Sequence, residues 1–162
     1  MPPPHVGSTF SQNINLHKAV GKKITINKEP HKSYHGSGVN GLINGISGSD
    51  SRYGDKEWLG FWGDDLEITI DLGEEMKINS IETRFHNGNG QWIYAPKGIK
   101  IIFDNKDWEY EFKNPDDILY NLEYKTISTT RYITLNIPNY GTIPEGKQGA
   151  GNKAWTFIDE II

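Results

Sequence analysis

The sequence of 162 residues contains no cysteine. This absence excludes a disulfide scaffold, a thiol nucleophile and a zinc site built from cysteines, although it does not fix the cellular compartment. No apolar run approaches the roughly 20 residues of a membrane-spanning helix, so membrane insertion is not expected. The formal net charge is −4 and the one basic doublet is Lys22-Lys23, a balance that argues against a nucleic-acid partner.

The beginning of the sequence lacks the apolar stretch of a signal peptide. We therefore expect either a cytoplasmic protein or a piece of a longer exported chain. Residues 1–12 contain three prolines in a row and several polar residues, which is typical of a linker or N-terminal arm. Residues 13–162 are long enough to form one domain with a sizeable core, and no repeat indicates a second one.

Short segments with alternating apolar and polar residues dominate the chain, and the clearest of them is Arg131–Ile137. Glycines and prolines separate these segments, as expected of an antiparallel sandwich or barrel. The helical signal is limited to a single turn near Val39–Ile43. The sequence thus predicts an all-β domain of about eight strands, near residues 24–27, 66–72, 78–85, 98–103, 108–112, 122–127, 131–137 and 154–162.

The stretch from Tyr34 to Leu72 has the composition of a binding region. It contains a bend at residues 41–50, which is rich in glycine and serine. An aromatic segment follows at residues 58–63, WLGFWG, which we interpret as a loop that exposes its rings. A strand with one buried face then begins at Leu66. A bend, an aromatic loop and a rigid strand in series predict a binding module.

Several motifs that suggest an enzyme have simpler explanations. Residues 36–41 match G-x-G-x-x-G, but no strand precedes them, so dinucleotide binding is not expected. The paired carboxylates at residues 64–65, 74–75 and 116–117 lie at predicted strand ends and point apart or into water. No nucleophile elbow is present, and the histidines lack helical metal-ligand spacing. We find no catalytic set.

Motifs along residues 13–162 resemble those of the discoidin domains, also called coagulation factor V/VIII type C domains, which include the family-32 carbohydrate-binding modules. The matching segments, in chain order, are residues 42–45 (LING), 58–61 (WLGF), 68–73 (ITIDLG), 78–81 (INSI), 92–96 (WIYAP) and 157–161 (FIDEI). Two of them, WLGFWG and WIYAP, are most similar to the module at the C-terminus of bacterial family-20 β-hexosaminidases (chitobiases). The resemblance implies an antiparallel jelly-roll sandwich, often with calcium, whose end loops bind the ligand.

The resemblance also implies a structural calcium site between the bend and the end of the chain. Asn44 takes a position that the family fills with aspartate, Ser49 its threonine or serine position, and Glu160 its terminal glutamate. Carbonyl oxygens would complete the set, from Gly41, Ile46 and Asp159. Because asparagine removes one formal charge, such a site would be weakened. Alternatively, the bend only turns the chain, and Asn44 accepts a hydrogen bond from its own backbone.

A sugar presents an apolar C–H face and a ring of hydroxyl groups, so a lectin-like site needs an exposed aromatic ring beside planar polar groups. Trp62, Trp92 and Tyr94 are candidates for the ring, and His86 and Asn87 for the polar groups. The alternative is that Trp92 or Tyr94 packs beneath its own loop. Trp108 and Trp155 lie in strand patterns and are predicted to belong to the core.

These observations lead to a non-catalytic carbohydrate-binding module, and the resemblance implies galactose- or N-acetylhexosamine-type glycans as its ligands. The resemblance implies that it is an accessory domain of a secreted bacterial glycoside hydrolase, located in the periplasm, at the cell surface or outside the cell. The expected partners are glycans and a catalytic domain in the same parent chain, and the isolated module is expected to be a monomer. An alternative is a structural module that packs on a neighbouring catalytic domain without binding sugar.

Overall fold

The computed structural model of the protein describes residues 16–36, 38–49, 54, 57–112 and 117–162. The predicted linker at 1–12 and Asp50 at the end of the predicted bend lie outside them. Nearly all regular structure in the described part is strand, with two short 3-10 helices at Val39–Ile43 and Asn89–Gln91. The strands are β1 (Lys23–Ile26), β2 (Leu59–Trp62), β3 (Leu66–His86), β4 (Gly98–Ile102), β5 (Asp107–Glu111), β6 (Leu119–Ile137) and β7 (Trp155–Ile161).

All strand pairs are antiparallel, and the strand order is β2-β7-β3-β6-β4-β5, with β1 also paired to β3. The two long strands, β3 and β6, take part in both layers. Residues 66–71 of β3 pair with the part of β6 that adjoins β4, and residues 68–71 also pair with β1. Residues 83–86 of β3 pair with the other end of β6 and, on their other side, with β7. The sheet therefore curls into a sandwich, and the predicted all-β jelly-roll fold is confirmed.

The core forms because each strand buries every second side chain. In the first half of β3, Leu66, Ile68 and Ile70 are at most 2 % exposed, whereas Glu67 between them faces water. From the other layer, Phe85 and Ile158 are fully buried against the same cluster. Packing between the two layers thus fixes which face of each strand points outward.

Three local predictions are wrong. Residues 58–63 do not form an exposed loop, because Leu59–Trp62 is strand β2 and pairs with β7. Trp58 and Phe61 are buried there, at 1 % and 0 % exposure, and Trp62 alone of the three aromatics points outward. The separate strands predicted on either side of Gly73 are one continuous strand, β3.

Residues 122–127 and 131–137, predicted as two strands, likewise belong to one strand, β6. The residues between them are Ser128, Thr129 and Thr130, which include no glycine or proline, and threonine favours strands. Both long strands are irregular in this region, because the register of β3 against β6 shifts between Asp71 and Met76. A bulge of this kind bends a strand without ending it. The helical turn predicted near Val39–Ile43 is confirmed as a 3-10 helix.

Among the described residues, no helix has the length and apolar character required to cross a membrane.

Candidate functional site

Strand β7 connects the two regions in which candidate site residues gather. Trp155, Phe157 and Asp159 fall on one face of this strand because side chains alternate along it. Trp155, at the start of the strand, is partly exposed, whereas Phe157 and Asp159 are buried at 1 % and 0 %. One face of one strand therefore begins at an aromatic surface and ends at a buried carboxylate.

Trp62 provides an exposed aromatic ring beside the start of β7. It lies directly opposite Trp155 in the β2–β7 pair, and the two ring centroids are 6.3 Å apart. The Trp62 side chain is in the exposed class at 45 %, and its indole N–H donates to the carbonyl oxygen of Lys153 at 3.1 Å. This bond and the Trp155 contact hold the ring in one orientation while leaving it accessible.

Three further side chains surround these two tryptophans. The rings of His31 and Tyr34 meet Trp155 edge to face, with centroid distances of 5.0 and 5.3 Å. The Lys153 ammonium lies 5.9 Å from the centre of the Trp62 ring. We call the set formed by Trp62, Trp155, His31, Tyr34 and Lys153 the Trp62 surface. It joins flat apolar rings to polar groups, which is the combination that a sugar-binding site requires.

Trp92 lies on the opposite side of Trp155 from Trp62. The Trp155 backbone N–H donates to the Trp92 carbonyl at 2.8 Å, so the two predicted ring candidates are separated by the width of β7. Trp92 has φ of 66°, the sole positive value among the described non-glycine residues. The backbone at Gly149 lies so close to the Trp92 indole that a Cβ there would come within 2.4 Å of it. Trp92 is therefore partly covered by the loop that contains Gly149.

The other three predicted sugar-contact residues lie beneath the surface. His86, Asn87 and Tyr94 are 2 %, 8 % and 4 % exposed. The Asn87 side chain accepts from the Ala95 N–H at 3.1 Å and donates to the Asp117 carbonyl at 2.8 Å, which fixes two loops. A glycan contact of these three stays a prediction, and their position indicates that they support the loops from within.

Burial also affects the ionisation of His86 and Tyr94. Burial, and secondarily the charge of Arg84, lowers the pKa of the His86 imidazole. Burial and the neighbouring Tyr140 raise the pKa of the Tyr94 phenol. Both changes favour the neutral form, so neither side chain offers a charge to a ligand at neutral pH.

Sequence reasoning missed most members of the Trp62 surface. The strand pattern predicts a core position for Trp155, yet this residue is the first of β7, is partly exposed and lies at the rim of the sandwich. His31 and Tyr34 reach it because backbone hydrogen bonds join His31 N–H to the Gly60 carbonyl and Gly60 N–H to the Tyr34 carbonyl. Since Gly60 lies 26 residues after Tyr34, no local pattern in the sequence signals this pairing.

The bend near Gly45 meets the end of β7 through direct hydrogen bonds. The Gly45 N–H donates to Glu160 Oε2 at 2.6 Å, and the Gly48 N–H donates to Asp159 Oδ2 at 3.0 Å. Asn44 Oδ1 accepts from the Ile46 N–H at 2.9 Å, which is the self-capped turn given above as the alternative to a calcium site. The bend thus presents N–H groups to carboxylates at the end of β7.

Arg84 supplies the cation in this contact. Its Nη2 donates to Asp159 Oδ2 at 2.6 Å and to the Gly48 carbonyl at 2.8 Å, and its Nε donates to the same Asp159 oxygen at 3.0 Å. The guanidinium also lies 5.3 Å from the centre of the Trp58 ring. We call the contact among Gly45, Gly48, Arg84, Asp159 and Glu160 the bend clamp.

His17 also contacts the bend clamp, through the carboxylate of Glu160. Its Nε2 lies 2.6 Å from Glu160 Oε2, and its Nδ1 accepts from the Ala19 N–H, so the ring proton on Nε2 is donated to the carboxylate. Burial raises the pKa of both Asp159 and Glu160, although Arg84 and His17 respectively act against this effect. Both carboxyls therefore depend on Arg84, on His17 and on the N–H groups of the bend to offset the cost of burying a negative charge.

The donor set does not fit calcium well. Calcium takes six to eight oxygen ligands and gains affinity from their negative charge. Asn44 contributes no charge and Ser49 offers a carbonyl that already accepts from the Trp58 indole N–H at 2.8 Å. Glu160 Oε1 is the one buried carboxylate oxygen of the predicted set that lacks a partner among the described residues.

No protein-family model matches the chain, and no curated protein matches it. Similarity appears instead among solved structures. The C-terminal domain of a chitobiase from Bacteroides fragilis is 23 % identical, with a TM-score of 0.53 over 90 % of this chain and 93 % of that one. A fucose-binding module from Streptococcus pneumoniae is 16 % identical, with a TM-score of 0.56 over 91 % and 93 % of the two chains.

A chitosan-binding module from a Paenibacillus chitosanase/glucanase, solved as a variant, also matches. It is 13 % identical, with a TM-score of 0.51 over 93 % of this chain and 97 % of that one. The protein therefore has the β-sandwich fold of carbohydrate-binding modules. The resemblance to discoidin-type modules is confirmed at the level of the fold.

Proposed function

We propose that the protein is a non-catalytic carbohydrate-binding module that binds glycans at the Trp62 surface. The observation that carries this proposal is the exposed, oriented ring of Trp62, 45 % exposed and held by the Lys153 carbonyl. A large aromatic side chain normally gains free energy by burial, so a fixed ring at the surface is available for a partner. The β-sandwich fold supports the same conclusion.

A pyranose ring would lie on Trp62 through its C–H face. Lys153 and His31 would then reach its hydroxyl groups, because both surround the same pair of tryptophans. One stacked ring and a few hydrogen bonds correspond to modest affinity, with a Kd of roughly 0.1–1 mM. Several copies of such a module on one substrate would raise the total affinity by avidity.

The ligand class and the biological setting belong to the same proposal. We infer galactose- or N-acetylhexosamine-type glycans, in line with a neighbour that is part of a chitobiase and another that binds chitosan. A module of this kind would be attached to a glycoside hydrolase in a secreted, periplasmic or cell-surface bacterial protein. It would act as a monomer and keep the catalytic domain close to its substrate.

The test is a glycan-array screen followed by calorimetric titration of the strongest hit. We expect Trp62→Ala to lower the affinity at least tenfold while changing the unfolding free energy by less than about 1 kcal/mol, because the ring is half exposed. Tyr132→Ala is the matched control, since Tyr132 is 44 % exposed but belongs to the other layer. Trp92→Ala tests the second predicted ring in the same assay.

Binding that survives Trp62→Ala but disappears in Trp92→Ala would move the site to the opposite side of Trp155. No binding across the array at millimolar sensitivity would contradict the proposal. The fold would then be better explained as a module that packs on a neighbouring domain. Turnover of aryl glycosides by the purified protein would overturn the non-catalytic assignment.

A further inference from the structure

We propose that the Arg84 guanidinium, and not a calcium ion, joins the Gly45–Gly48 bend to the end of β7. The protein would thus hold its loops without metal. This inference concerns folding and does not depend on the proposed glycan binding. The calcium site implied by the sequence resemblance is the alternative that the experiment must separate from it.

The direction of the hydrogen bonds is the first argument. A calcium ion between the bend and β7 would need the oxygens of both sides turned toward it. Here the bend directs two N–H groups at the β7 carboxylates, from Gly45 to Glu160 and from Gly48 to Asp159. These bonds join the two elements directly and use N–H groups of the bend, whereas calcium would need its oxygens.

The charges give the second argument. A carboxylate buried as deeply as that of Asp159, at 0 % exposure, needs a compensating positive charge or several hydrogen bonds. Arg84 supplies the charge through two nitrogen atoms that both contact Asp159 Oδ2. At the position the family gives to aspartate, Asn44 is neutral, and its amide nitrogen donates to Glu57 Oε2 at 2.9 Å. Glu160 therefore supplies the one charged side chain of the implied ligand set, and a divalent ion there would gain affinity from a single carboxylate.

Arg84 also contacts both elements at once. While two of its nitrogens bind Asp159, Nη2 donates to the Gly48 carbonyl, so a single side chain connects β3, β7 and the bend. Gly48 in turn lies against the Trp58 ring, where a Cβ would come within 2.4 Å of the indole. The guanidinium therefore holds Gly48 at the position where its backbone also packs against the Trp58 ring.

The experiment begins with the wild-type protein, made metal-free with chelator and measured with and without 1 mM calcium. We expect the Tm to differ by less than about 1 °C and calorimetry to show no saturable calcium binding. A calcium ion bound at a hundredfold excess over its Kd would instead raise the Tm by about 5–10 °C. A rise of that size with one ion per protein would overturn the proposal.

Two variants then test Arg84 itself. Arg84→Ala leaves the Asp159 carboxylate buried without its cation, and we expect the Tm to fall by roughly 10 °C, with no recovery in calcium. Arg131→Ala is the matched control, since it removes an arginine–aspartate pair with Asp71 whose side chains are more exposed, at 43 % and 22 %. We expect its Tm to change by about 2 °C or less.

Arg84→Lys keeps the charge but loses the planar fork, so it provides a milder change if the alanine variant does not fold. We expect a Tm between those of the wild type and the alanine variant, again independent of calcium. If the Arg84→Lys Tm equals that of the wild type, the guanidinium contacts are not needed and the proposal is wrong. If calcium restores the wild-type Tm in either variant, the proposal that Arg84 acts in place of calcium is also wrong.

Discussion

The two ends of β7 use their side chains in opposite ways. At Trp155 the strand meets Trp62, His31 and Tyr34, and this contact leaves aromatic surface open to water. At the other end of the strand, the side chains of Asp159 and Glu160 are buried and accept hydrogen bonds from the bend. One end of the strand presents groups outward, and the other uses them to hold the fold together.

This difference shows that residue type alone does not distinguish a binding residue from a structural one. Tryptophan and carboxylate are both expected at carbohydrate sites, and both occur on the same face of β7. What separates them is the set of partners available in the folded protein. The Asp159 carboxylate has Arg84 and the Gly48 N–H, whereas the Trp62 ring keeps nearly half of its surface open.

Phe157 connects the two ends, and its removal should have the largest effect. The side chain lies between Trp155 and Asp159 on β7, is 1 % exposed and packs against Tyr34 at a centroid distance of 4.9 Å. Phe157→Ala leaves a cavity, and we expect the unfolding free energy to fall by about 3–5 kcal/mol in urea titrations. Glycan affinity should also fall, because Tyr34 and Trp155 lose their support.

The control for this change is Ile127→Ala, which removes apolar atoms from a side chain that is 80 % exposed. We expect a change within about 0.5 kcal/mol. If Phe157→Ala costs less than about 1 kcal/mol, the two ends of β7 do not share a rigid core. If it destabilises the protein but leaves glycan affinity intact, the Trp62 surface is independent of the residues beneath it.

Much of the fold could be predicted from sequence because alternation is a local signal. The pattern of Leu66, Ile68 and Ile70 marks one buried face before any tertiary contact is known. The continuity of β3 and β6 could not be predicted in the same way. Glycine at position 73 usually ends a strand, whereas here it occupies φ of 88° near the bulge, and the strand continues beyond it.

The candidate site was predictable only in part, for a physical reason. Trp62 is identified as a ring candidate from its aromatic segment, but its exposure depends on which face of β2 meets β7, and that is a tertiary property. Arg84 lies within an ordinary alternating strand, and nothing near it in sequence indicates its partner Asp159, 75 positions away. Contacts between distant segments are what a single sequence leaves undetermined.

A smaller effect is expected from the loop that covers Trp92. Gly149 has φ of 82° and no room for a Cβ, which would meet the Trp92 ring at 2.4 Å. Gly146 has a similar φ of 84° but open space around it. Its replacement by alanine therefore measures the cost of placing a side chain at positive φ, without any steric contact. We expect Gly146→Ala to cost about 1 kcal/mol in urea unfolding and Gly149→Ala about 2–3 kcal/mol.

Comparing these two variants sharpens the distinction between the Trp62 surface and Trp92. Gly149→Ala must displace the Trp92 ring, which near-ultraviolet circular dichroism and tryptophan fluorescence will report. If glycan affinity is then unchanged, Trp92 is a structural residue and binding is confined to the Trp62 side of Trp155. A loss of affinity in Gly149→Ala without a loss in Gly146→Ala would assign Trp92 to the binding site.

The smallest expected effect concerns the charge around the bend clamp. Glu82 precedes Arg84 by two positions on β3 and lies directly opposite Glu123 on β6. Burial, followed by the contact with Glu123, raises the pKa of Glu82 above its ordinary value. The folded protein therefore binds this proton more tightly than the unfolded chain does, and stability is lost as the pH rises through the folded pKa.

Glu82→Gln replaces the carboxyl with a neutral amide, so the stability that the wild type loses as Glu82 ionises is not lost in the variant. We expect the variant to be more stable than the wild type by about 0.2–1 kcal/mol at pH 7, and the difference to vanish below the ordinary pKa of glutamate, in urea titrations between about pH 3 and pH 7. Glu109→Gln is the control, because Glu109 lies opposite Lys100 and its replacement removes an attraction. A Glu82→Gln difference that does not vary with pH would mean that packing, and not repulsion between carboxylates, limits stability beside Arg84.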